Sequence, residues 1–528
     1  MNKQLNLKGN LFVISCVFSI LLLVNVFGSV SAKSKTLRYA VQTFGAETFD
    51  PTVTSISTGL GFAGPLWDWL TSVDINGNLK AGLATGWSSS ENSKVWTITL
   101  RQGVKFHDGT EMTANDVKFT LLNGFTRKGA KASRTRQFRK KIKAVKVLSS
   151  HSVKIIMKSA WPTFAHDISN QPGIEGIVLP KTYIEKVGWK KFARKPVGTG
   201  AFKFLEHKVG NMVAFAANKN HWRYKPQFER MEILLVPEAA TRVAMLKTGQ
   251  VDIAEVSPDD SEKLAKAGFK FARDPQATSL RLHLYGTYYK NAGPTGKLEV
   301  RKALNLAINR DEMVKALFRG AGKPAAVFPI SELSIGYPKG LKAYPYDPSQ
   351  ARKLLRKAGY SNGFKIKLYS LPVGGFTMHK QVCEIVAGYW EAIGVKTEIV
   401  PTDIGAFRPL YIKQPQSPKI VGQASIFTTT GRLNGASALG IWWTKKRKII
   451  QLAENVDDLY SETQKASNVK EIAAKTEKAF RILYKDYRSV PIADVAGILW
   501  AYGNQVGSMR VIPHRGFVTP SLVTATRK

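Results

Sequence analysis

The chain has 528 residues, of which 44% are hydrophobic and 22% are charged. A chain of this length and composition buries substantial hydrophobic cores, which excludes a disordered or fibrous protein and predicts more than one domain. Lysine and arginine outnumber aspartate and glutamate by 78 to 38, which gives a formal net charge of +40. This excess predicts attraction to anionic partners or surfaces but does not identify the anion.

The first 32 residues have the three parts of a secretory signal. Lys3 and Lys8 precede the apolar run 11–27, and small residues follow that run up to Ala32. We therefore predict export, with cleavage near Ala32. The alternative is a membrane anchor, because about 17 apolar residues is the lower limit for spanning a bilayer.

The next patterns predict a strand, a turn, a second strand and a helix. Val95–Leu100 alternates bulky apolar residues with smaller or polar ones, which is typical of a half-buried strand, and 104–106 resumes the pattern after Gly103. Thr113 and Asp116 have the spacing of a capping box and predict a helix over about 114–122.

Strands and helices continue to alternate along the chain. Asp347 is a good N-cap before a proline, and apolar residues then recur at helical spacing up to Gly359. This alternation predicts α/β domains. Further helices are predicted at 298–307 and 311–318, and further strands at 231–236, 279–285, 364–369 and 396–400.

Residues 127–143 form a run with many basic residues and no acidic one. One interpretation is a solvated face of a helix or loop. The other is a docking site for phosphate groups or lipid head groups. The sequence leaves both open.

Motifs for catalysis, cofactors and metals find little support. Residues 59–64 satisfy G-x-G-x-x-G, but no strand precedes them and Pro65 follows. The eight histidines never occur at metal-ligand spacing, and Cys16 and Cys383 are too few for a disulfide framework or a zinc cluster. We therefore predict that the protein is not an enzyme and has no catalytic residue, metal site or cofactor.

Several motifs, taken together and in their order, carry a family resemblance. The most specific are LATGW at 83–87, WTITLRQGVKFHDGT at 96–110 and TANDV at 113–117; others are PVGTGAF at 196–202, VRKALNLAINR at 300–310 and YDP at 346–348. The chain thereby resembles the extracytoplasmic solute-binding proteins of ABC transporters, family 5, which includes dipeptide-, oligopeptide-, nickel- and glutathione-binding proteins.

The resemblance implies a type II periplasmic-binding-protein-like α/β fold, in which two lobes close over a ligand and an extra subdomain is inserted in the first lobe. By position after the signal peptide 1–32, the first lobe comprises 33–66, 197–280 and 490–528. The inserted subdomain comprises 67–196, and the second lobe comprises 281–489.

Ligand contacts are expected where the lobes meet. Peptide-binding members resemble G-W-x-G-D where this chain has hydroxyl residues at 428–430 and then Arg432, so the carboxylate that pairs with a peptide amine is missing. An unpaired ammonium in a closed cleft is costly, which puts ordinary peptide binding in doubt unless Glu47 supplies the charge. Arg432 could instead hold a carboxylate or phosphate, or it could be a surface arginine.

Trp500 and Tyr502, which follow the second connection between the lobes, are candidate walls of the ligand cleft, because aromatic faces stack on apolar or planar ligand groups. Core packing is the alternative for both of these aromatic residues. The complete set of predicted ligand-binding residues is Phe44, Ala46, Glu47, Thr429, Thr430, Arg432, Trp500 and Tyr502.

Together with the export signal, the resemblance therefore implies a periplasmic, monomeric protein that captures a peptide or a related small organic solute, which could be anionic. Its expected partners are this solute and the ABC transporter permease in the inner membrane, and no nucleic acid is expected. The alternative is a secreted basic protein that binds polyanions, as the net charge and the run 127–143 suggest.

Overall fold

The structure is a computed structural model. It describes residues 36–44, 47–53, 62–74, 76–130, 135–170, 174–273, 278–371, 376, 378–430, 434–444, 455–495, 499–509, 511 and 523–525. The predicted signal peptide lies outside these residues. No helix among them is long and apolar enough to cross a membrane.

The strands of the described residues form two large sheets, one four-stranded sheet and two strand pairs. In chain order they are β1 (Thr36–Val41), β2 (Thr71–Val73), β3 (Leu79–Ala81), β4 (Ala84–Ser90), β5 (Val95–Leu100), β6 (Ile142–Ser149), β7 (Ser152–Met157), β8 (Phe202–Lys208), β9 (Met212–Ala217), β10 (Arg230–Leu235), β11 (Ile253–Val256), β12 (Lys270–Ala272), β13 (Thr278–Leu284), β14 (Gly322–Pro324), β15 (Phe364–Ser370), β16 (Val395–Pro401), β17 (Ala424–Thr430), β18 (Ser489–Val495), β19 (Leu499–Tyr502), β20 (Val506–Ser508) and β21 (Thr524–Ala525).

The helices mostly connect these strands. They are α1 (Ala114–Phe119), α2 (Thr135–Lys141), α3 (Phe164–Asp167), α4 (Lys181–Val187), α5 (Trp189–Phe192), α6 (Ala239–Lys247), α7 (Pro258–Lys266), α8 (Leu298–Leu306), α9 (Arg310–Ala316), α10 (Pro348–Lys357), α11 (His379–Glu391), α12 (Ile404–Ile412), α13 (Gly435–Trp442), α14 (Val456–Lys465) and α15 (Val469–Lys485). Short 3-10 turns occupy Gly64–Leu66 and Gly293–Gly296, and a π-helical turn occupies Thr120–Gly124.

The first large sheet has seven strands in the order β12-β19-β11-β1-β10-β9-β8. Its strands come from three distant parts of the chain, because β1 pairs in parallel with both β10 and β11 while β19 lies between β11 and β12. We call the part of the molecule built on this sheet the first lobe.

The second large sheet has six strands in the order β14-β18-β13-β17-β15-β16 and is covered on both faces. One face, which includes Leu282 and Ile426, packs against apolar residues of α8 to α11. The opposite face, which includes Tyr285 and Phe427, packs with apolar residues of α12, α13 and α15. We call the part of the molecule built on this sheet the second lobe.

The segment between β1 and β8 contains the four-stranded antiparallel sheet β4-β5-β7-β6 with its own core. The His107 side chain joins this segment to the residues just before β8. Its Nδ1 accepts a hydrogen bond from the Gly198 amide at 3.2 Å, and its Nε2 is 2.9 Å from the Gly200 carbonyl oxygen. Burial lowers the pKa of His107 to about 4, so it is neutral at pH 7. Two of the motifs that carry the family resemblance are therefore held together by this side chain.

Most predicted elements are confirmed. β5, β10, β13, β15 and β16 coincide with predicted strands within a residue or two, and α8, α9 and α10 coincide with predicted helices. The Thr113–Asp116 capping box is formed, and the Asp347 side chain accepts from the amide of Gln350. The second strand predicted at 104–106 was wrong, because the turn at Asp108 leaves only an isolated bridge between Lys105 and Glu111.

The chain crosses between the two large sheets at two places. One crossing follows Ala272 and ends at Thr278, and the other follows Val495 and ends at Leu499. The predicted boundary at 490 therefore falls inside β18, which belongs to the second sheet.

Strand β18 contains a β-bulge. Leu280 pairs with Ala493 whereas Arg281 pairs with Pro491, so Ile492 is the extra residue. Proline in an interior strand lacks an amide donor, and the bulge disrupts the ladder there. The freed carbonyls have other partners, since the Arg310 Nε donates to the Pro491 carbonyl at 2.6 Å and the Ala325 amide donates to that of Ile492 at 3.2 Å.

Replacement of Arg310 by methionine is predicted to destabilise the fold by roughly 3–5 kcal/mol. The side chain is 2% exposed and also donates to the Asn305 carbonyl and Oδ1, both at 2.9 Å, so the substitution leaves buried acceptors without donors. Urea unfolding measures the change. The exposed Lys353→Ala on α10 is the control and should change stability by about 0.5 kcal/mol or less.

Candidate functional site

The ends of three second-lobe strands meet at the crossings between the lobes. In the pairing register, Thr278 is opposite Thr430 and Ser279 is opposite both Thr429 and Asp494. Paired residues on neighbouring strands point to the same face of a sheet, so Ser279, Thr429 and Asp494 form a polar row one residue from the strand ends. We call these three residues the second-lobe rim.

Asp494 is the charged member of the rim. It is partly exposed and lies beside Ser279, which is 2% exposed and whose Oγ has no hydrogen-bond partner among the described residues. Burial raises the pKa of Asp494 to about 7, and Glu332 contributes in the same direction, while Ser279, Arg281 and Lys323 oppose the rise. Asp494 is therefore only partly ionised at neutral pH, which is unusual for an aspartate.

Arg281 lies behind the rim on the same face of the sheet and is completely buried. Its Nε donates to the His283 Nε2 at 2.8 Å, and its Nη1 donates to the Ser279 carbonyl at 3.3 Å. Burial lowers the pKa of His283 well below its usual value, so the imidazole is neutral and accepts this bond.

Aromatic rings surround the Arg281 guanidinium. Its Cζ is 3.2 Å from the ring centroid of Phe328, 5.0 Å from that of Phe427 and 5.2 Å from that of Trp442. Ring faces stabilise a cation electrostatically, which offsets part of the cost of its burial. Arg281 is thus a fixed positive charge in the core behind Asp494.

The early segment of the first lobe contains three of the predicted ligand-binding residues, and the structure describes two of them. Phe44 is 3% exposed and packs against Phe62, with ring centroids 5.1 Å apart. Glu47 accepts hydrogen bonds from the His207 Nε2 at 2.8 Å and from the Gly210 amide at 3.0 Å. Ala46 lies outside the described residues. Glu47 thus has first-lobe partners for its charge.

Trp500 and Tyr502 lie on β19 in the interior of the first-lobe sheet. They are 4% and 9% exposed, respectively, and both belong to the core cluster of that lobe. The Trp500 ring meets that of Tyr39 edge to face at a centroid distance of 6.5 Å. The core-packing alternative therefore describes their positions.

The structure describes two of the three ligand-binding residues predicted in the second lobe. Thr429 is half-buried and belongs to the rim, and the Thr430 backbone pairs with Thr278 at the strand end. Arg432 lies outside the described residues. Sequence reasoning missed Ser279 and Asp494, which share no sequence pattern with Thr429.

The second lobe also contacts the rest of the molecule directly. Arg319 donates to Glu262 at 3.0 Å and to Asp259 at 3.3 Å, and both acceptors lie on α7 of the first lobe. On the inserted segment, the Thr163 Oγ1 accepts from the Asn434 Nδ2 at 3.0 Å. Ser93, also on the inserted segment, donates to the Ser467 carbonyl at 2.7 Å.

Several basic side chains of the run 127–143 form contacts within the molecule. The Arg127 guanidinium is 2.5 Å from Asp50 and lies over the Trp189 ring at 4.2 Å. Arg139 donates to the Arg127 carbonyl at 3.4 Å, and Lys141 donates to that of Ala160 at 3.2 Å. These contacts connect the run to its own subdomain and to the early segment of the first lobe.

In the described part of the chain, no three or more histidine, cysteine, aspartate or glutamate side chains are grouped so that they could hold a metal ion. Cys383 is buried within α11, and burial raises the pKa of its thiol to about 12. Such a thiol is a poor nucleophile at neutral pH.

Comparison with known proteins gives consistent matches. The sequence profile of bacterial extracellular solute-binding proteins, family 5 Middle, matches residues 78–423. The chain is 28% identical over 357 residues to heme-binding protein A of Haemophilus influenzae, and the match covers 63% of each chain. It is 27% identical over 420 residues to the dipeptide-binding protein of Escherichia coli, covering 73% of this chain and 75% of the relative.

Solved structures agree with this fold. HbpA2 from Haemophilus parasuis superposes with a TM-score of 0.77 at 21% identity, covering 93% of this chain and 100% of the other. The periplasmic binding protein DppA from Helicobacter pylori, in complex with the peptide STSA, superposes with a TM-score of 0.72 at 22% identity, covering 93% of this chain and 98% of the other.

The pKa of Asp494 predicts a pH-dependent difference in stability between the protein and its Asp494→Asn variant. Because the folded-state pKa of about 7 lies above the unfolded value near 3.9, the folded protein holds the extra proton, and the Asp494 contribution to stability falls as pH rises from about 4 to about 7. Asparagine removes this dependence.

The melting temperature of the Asp494→Asn variant, measured relative to the unaltered protein, should therefore rise by roughly 2 °C or more between pH 5 and pH 8. Differential scanning calorimetry at both pH values measures it. Parallel pH profiles of the two proteins would contradict the prediction.

Proposed function

Because the chain belongs to the bacterial extracellular solute-binding proteins of family 5, we propose that it captures a peptide or a related small organic solute between two lobes and delivers it to the permease of an ABC transporter. Its fold is the two-lobed α/β fold of periplasmic binding proteins. Named relatives bind dipeptides, glutathione or heme, so proteins of this kind accept chemically different solutes.

The observation that carries the proposal is the position of the rim at the lobe crossings. The crossings after Ala272 and after Val495 reach adjacent ends of β13 and β18, so the lobes are joined along one side. Two rigid bodies joined in this way close by hinge motion, and a ligand between them shifts the population toward the closed form. The rim lies where such a ligand would be enclosed.

The strand pairings support a small change in the predicted division of the chain. We propose that the second lobe comprises 278–495, so that it contains all of β13 and β18, and that the first lobe comprises 33–66, 197–277 and 496–528. The inserted subdomain remains 67–196, which contains the four-stranded sheet.

Further parts of the proposal concern the place and partners of the protein. We propose export to the periplasm with cleavage near Ala32, and action as a monomer. Arg432 remains our candidate for binding an anionic group of the solute. The polyanion-binding alternative has no support among the relatives, and the described basic side chains of 127–143 that contact Asp50, Trp189 and backbone carbonyls serve the fold.

Native mass spectrometry of the mature protein, purified from a periplasmic extract, tests the proposal. We expect one stoichiometric small molecule that is released by denaturation and that raises the melting temperature when it is added back, because a ligand bound only to the folded state stabilises that state. Heterogeneous polyanions that salt removes, with no small molecule bound or stabilising, would contradict the proposal.

Arg319 offers a test of lobe closure. In the Arg319→Glu variant, like charges face Asp259 and Glu262, so we expect the affinity for the recovered solute to fall by roughly 3- to 10-fold in low salt. Isothermal titration calorimetry measures the affinity. Addition of Asp259→Arg and Glu262→Arg restores opposite charges and should restore affinity. Unchanged affinity in the single variant would show that these contacts do not stabilise closure.

A further inference from the structure

We propose that the exposed side of α10 docks on an anionic phospholipid surface. The residues of this docking surface, which we call the α10 face, are Arg352, Lys353, Arg356 and Lys357 together with Leu298 and Tyr346. The inference goes beyond the proposed function, because it needs neither the cleft between the lobes nor a bound solute.

The first step is the charge pattern of α10. Its apolar side packs in the core of the second lobe, and its four charged residues are all basic and exposed. Arg352 and Arg356 lie at i,i+4 spacing, as do Lys353 and Lys357, and like charges at this spacing repel. The helix dipole favours Arg356 and Lys357 in the last turn, but it gives no reason for the basic pair one turn earlier. An anionic partner would replace this repulsion with attraction.

The second step is that the fold neutralises little of this charge. Lys357 is 3.8 Å from Glu299, but its side chain is 73% exposed. Arg352 donates to a backbone carbonyl after α11 at 3.2 Å, which does not cancel its charge. In the part of the chain that the structure describes, Lys353 and Arg356 form no salt bridge. The α10 face is therefore positively charged and available to an external anion.

The third step concerns the apolar residues at both ends of α10. Among the described residues, five large hydrophobic side chains are exposed, and Leu298 and Tyr346 are two of them, at 44% and 49%. Tyr346 precedes the N-cap Asp347, whereas Leu298 follows Lys297, which donates to the Ala358 carbonyl just beyond the end of α10. Basic side chains flanked by apolar and tyrosine side chains are typical of helices at a lipid interface. This pattern favours a phospholipid surface over a soluble polyanion.

The fourth step is the position of the α10 face relative to the lobe crossings. β15 runs parallel to β17, whose last residue, Thr430, pairs with Thr278 at a crossing. The chain passes from the end of α10 to the start of β15, at the opposite end of the sheet. The second half of the α10 face thus lies far from the lobe junction, so docking on a membrane leaves the lobes free to open and close.

Sedimentation with lipid vesicles tests the inference. We would compare vesicles of phosphatidylglycerol and phosphatidylcholine in equal parts with vesicles of phosphatidylcholine alone, and use heparin as a soluble polyanion. The protein is the mature form without residues 1–32, so that the apolar run 11–27 cannot account for binding.

Two charge variants with the same change in net charge are compared. Lys353→Glu/Arg356→Glu alters the α10 face, and it should leave the helix intact because it places opposite charges at i,i+4 spacing to Lys357 and Arg352. The control Lys247→Glu/Lys270→Glu alters exposed lysines of the first lobe. A third variant, Leu298→Ser/Tyr346→Ser, removes the apolar flanks. Circular dichroism and the melting temperature would show that each variant is folded.

We expect the unaltered protein to bind the anionic vesicles at low salt, at least 10-fold more tightly than the neutral ones, and to be released at high salt, because salt screens exposed charges. Lys353→Glu/Arg356→Glu should lose at least 10-fold in vesicle affinity, whereas the first-lobe control should lose less than 3-fold. Leu298→Ser/Tyr346→Ser should lose at least 3-fold on vesicles and bind heparin as the unaltered protein does.

Four results would overturn the inference. Absence of binding to anionic vesicles, or equal binding to neutral ones, would exclude an anionic lipid surface as the partner. Equal losses in the two charge variants would show that net charge alone attracts the protein. Vesicle binding that is unchanged in Leu298→Ser/Tyr346→Ser would show that the surface accepts any polyanion. Each of these results would leave the proposed function intact, since none involves the cleft.

Discussion

The bulge at Ile492 is the constraint on which the second-lobe site depends. A shift of one residue in pairing moves a side chain to the opposite face of a sheet. Because the bulge adds one residue between Pro491 and Ala493, Asp494 points to the same face as Ser279, while Val490 still faces the apolar side. The Arg310 side chain stabilises this arrangement through the Pro491 carbonyl. Fold stability and the position of a polar residue at the junction thus depend on the same few bonds.

The face that carries Asp494 changes in character along the strands. Far from the junction, Tyr285 and Ser425 are buried and hydrogen-bonded to each other at 2.8 Å. Arg281 and His283 follow within an aromatic shell, and the partly exposed rim comes last. The buried Arg281 thus has a partner in His283 and the buried Tyr285 has one in Ser425, while Thr429 and Asp494 at the lobe crossings are partly exposed.

Local chemistry made much of the fold predictable. The capping box of Thr113 and Asp116, the N-cap Asp347 and the strand Val95–Leu100 each depend on residues within a few positions of one another. Family motifs added the lobes and the insertion. The rim was not predictable in this way, because Ser279 and Asp494 are far apart in the chain and meet through a bulge with no sequence signature. The aromatic side chains of Trp500 and Tyr502 would suit either a cleft wall or a hydrophobic core. Only the pairing of β19 between β11 and β12 shows that they lie in a core.

The contact between Asn434 and Thr163 joins a helix cap to a different part of the molecule. The Asn434 side chain accepts from the Ser437 amide at the start of α13, and its amide group donates to Thr163, which itself donates to Asp167 at 2.8 Å. Separation of the inserted subdomain from the second lobe would release the side chain that caps this helix. The first turn of α13 is therefore coupled thermodynamically to lobe position, and the hydrogen exchange rate of the Ser437 amide would report how often the two parts separate.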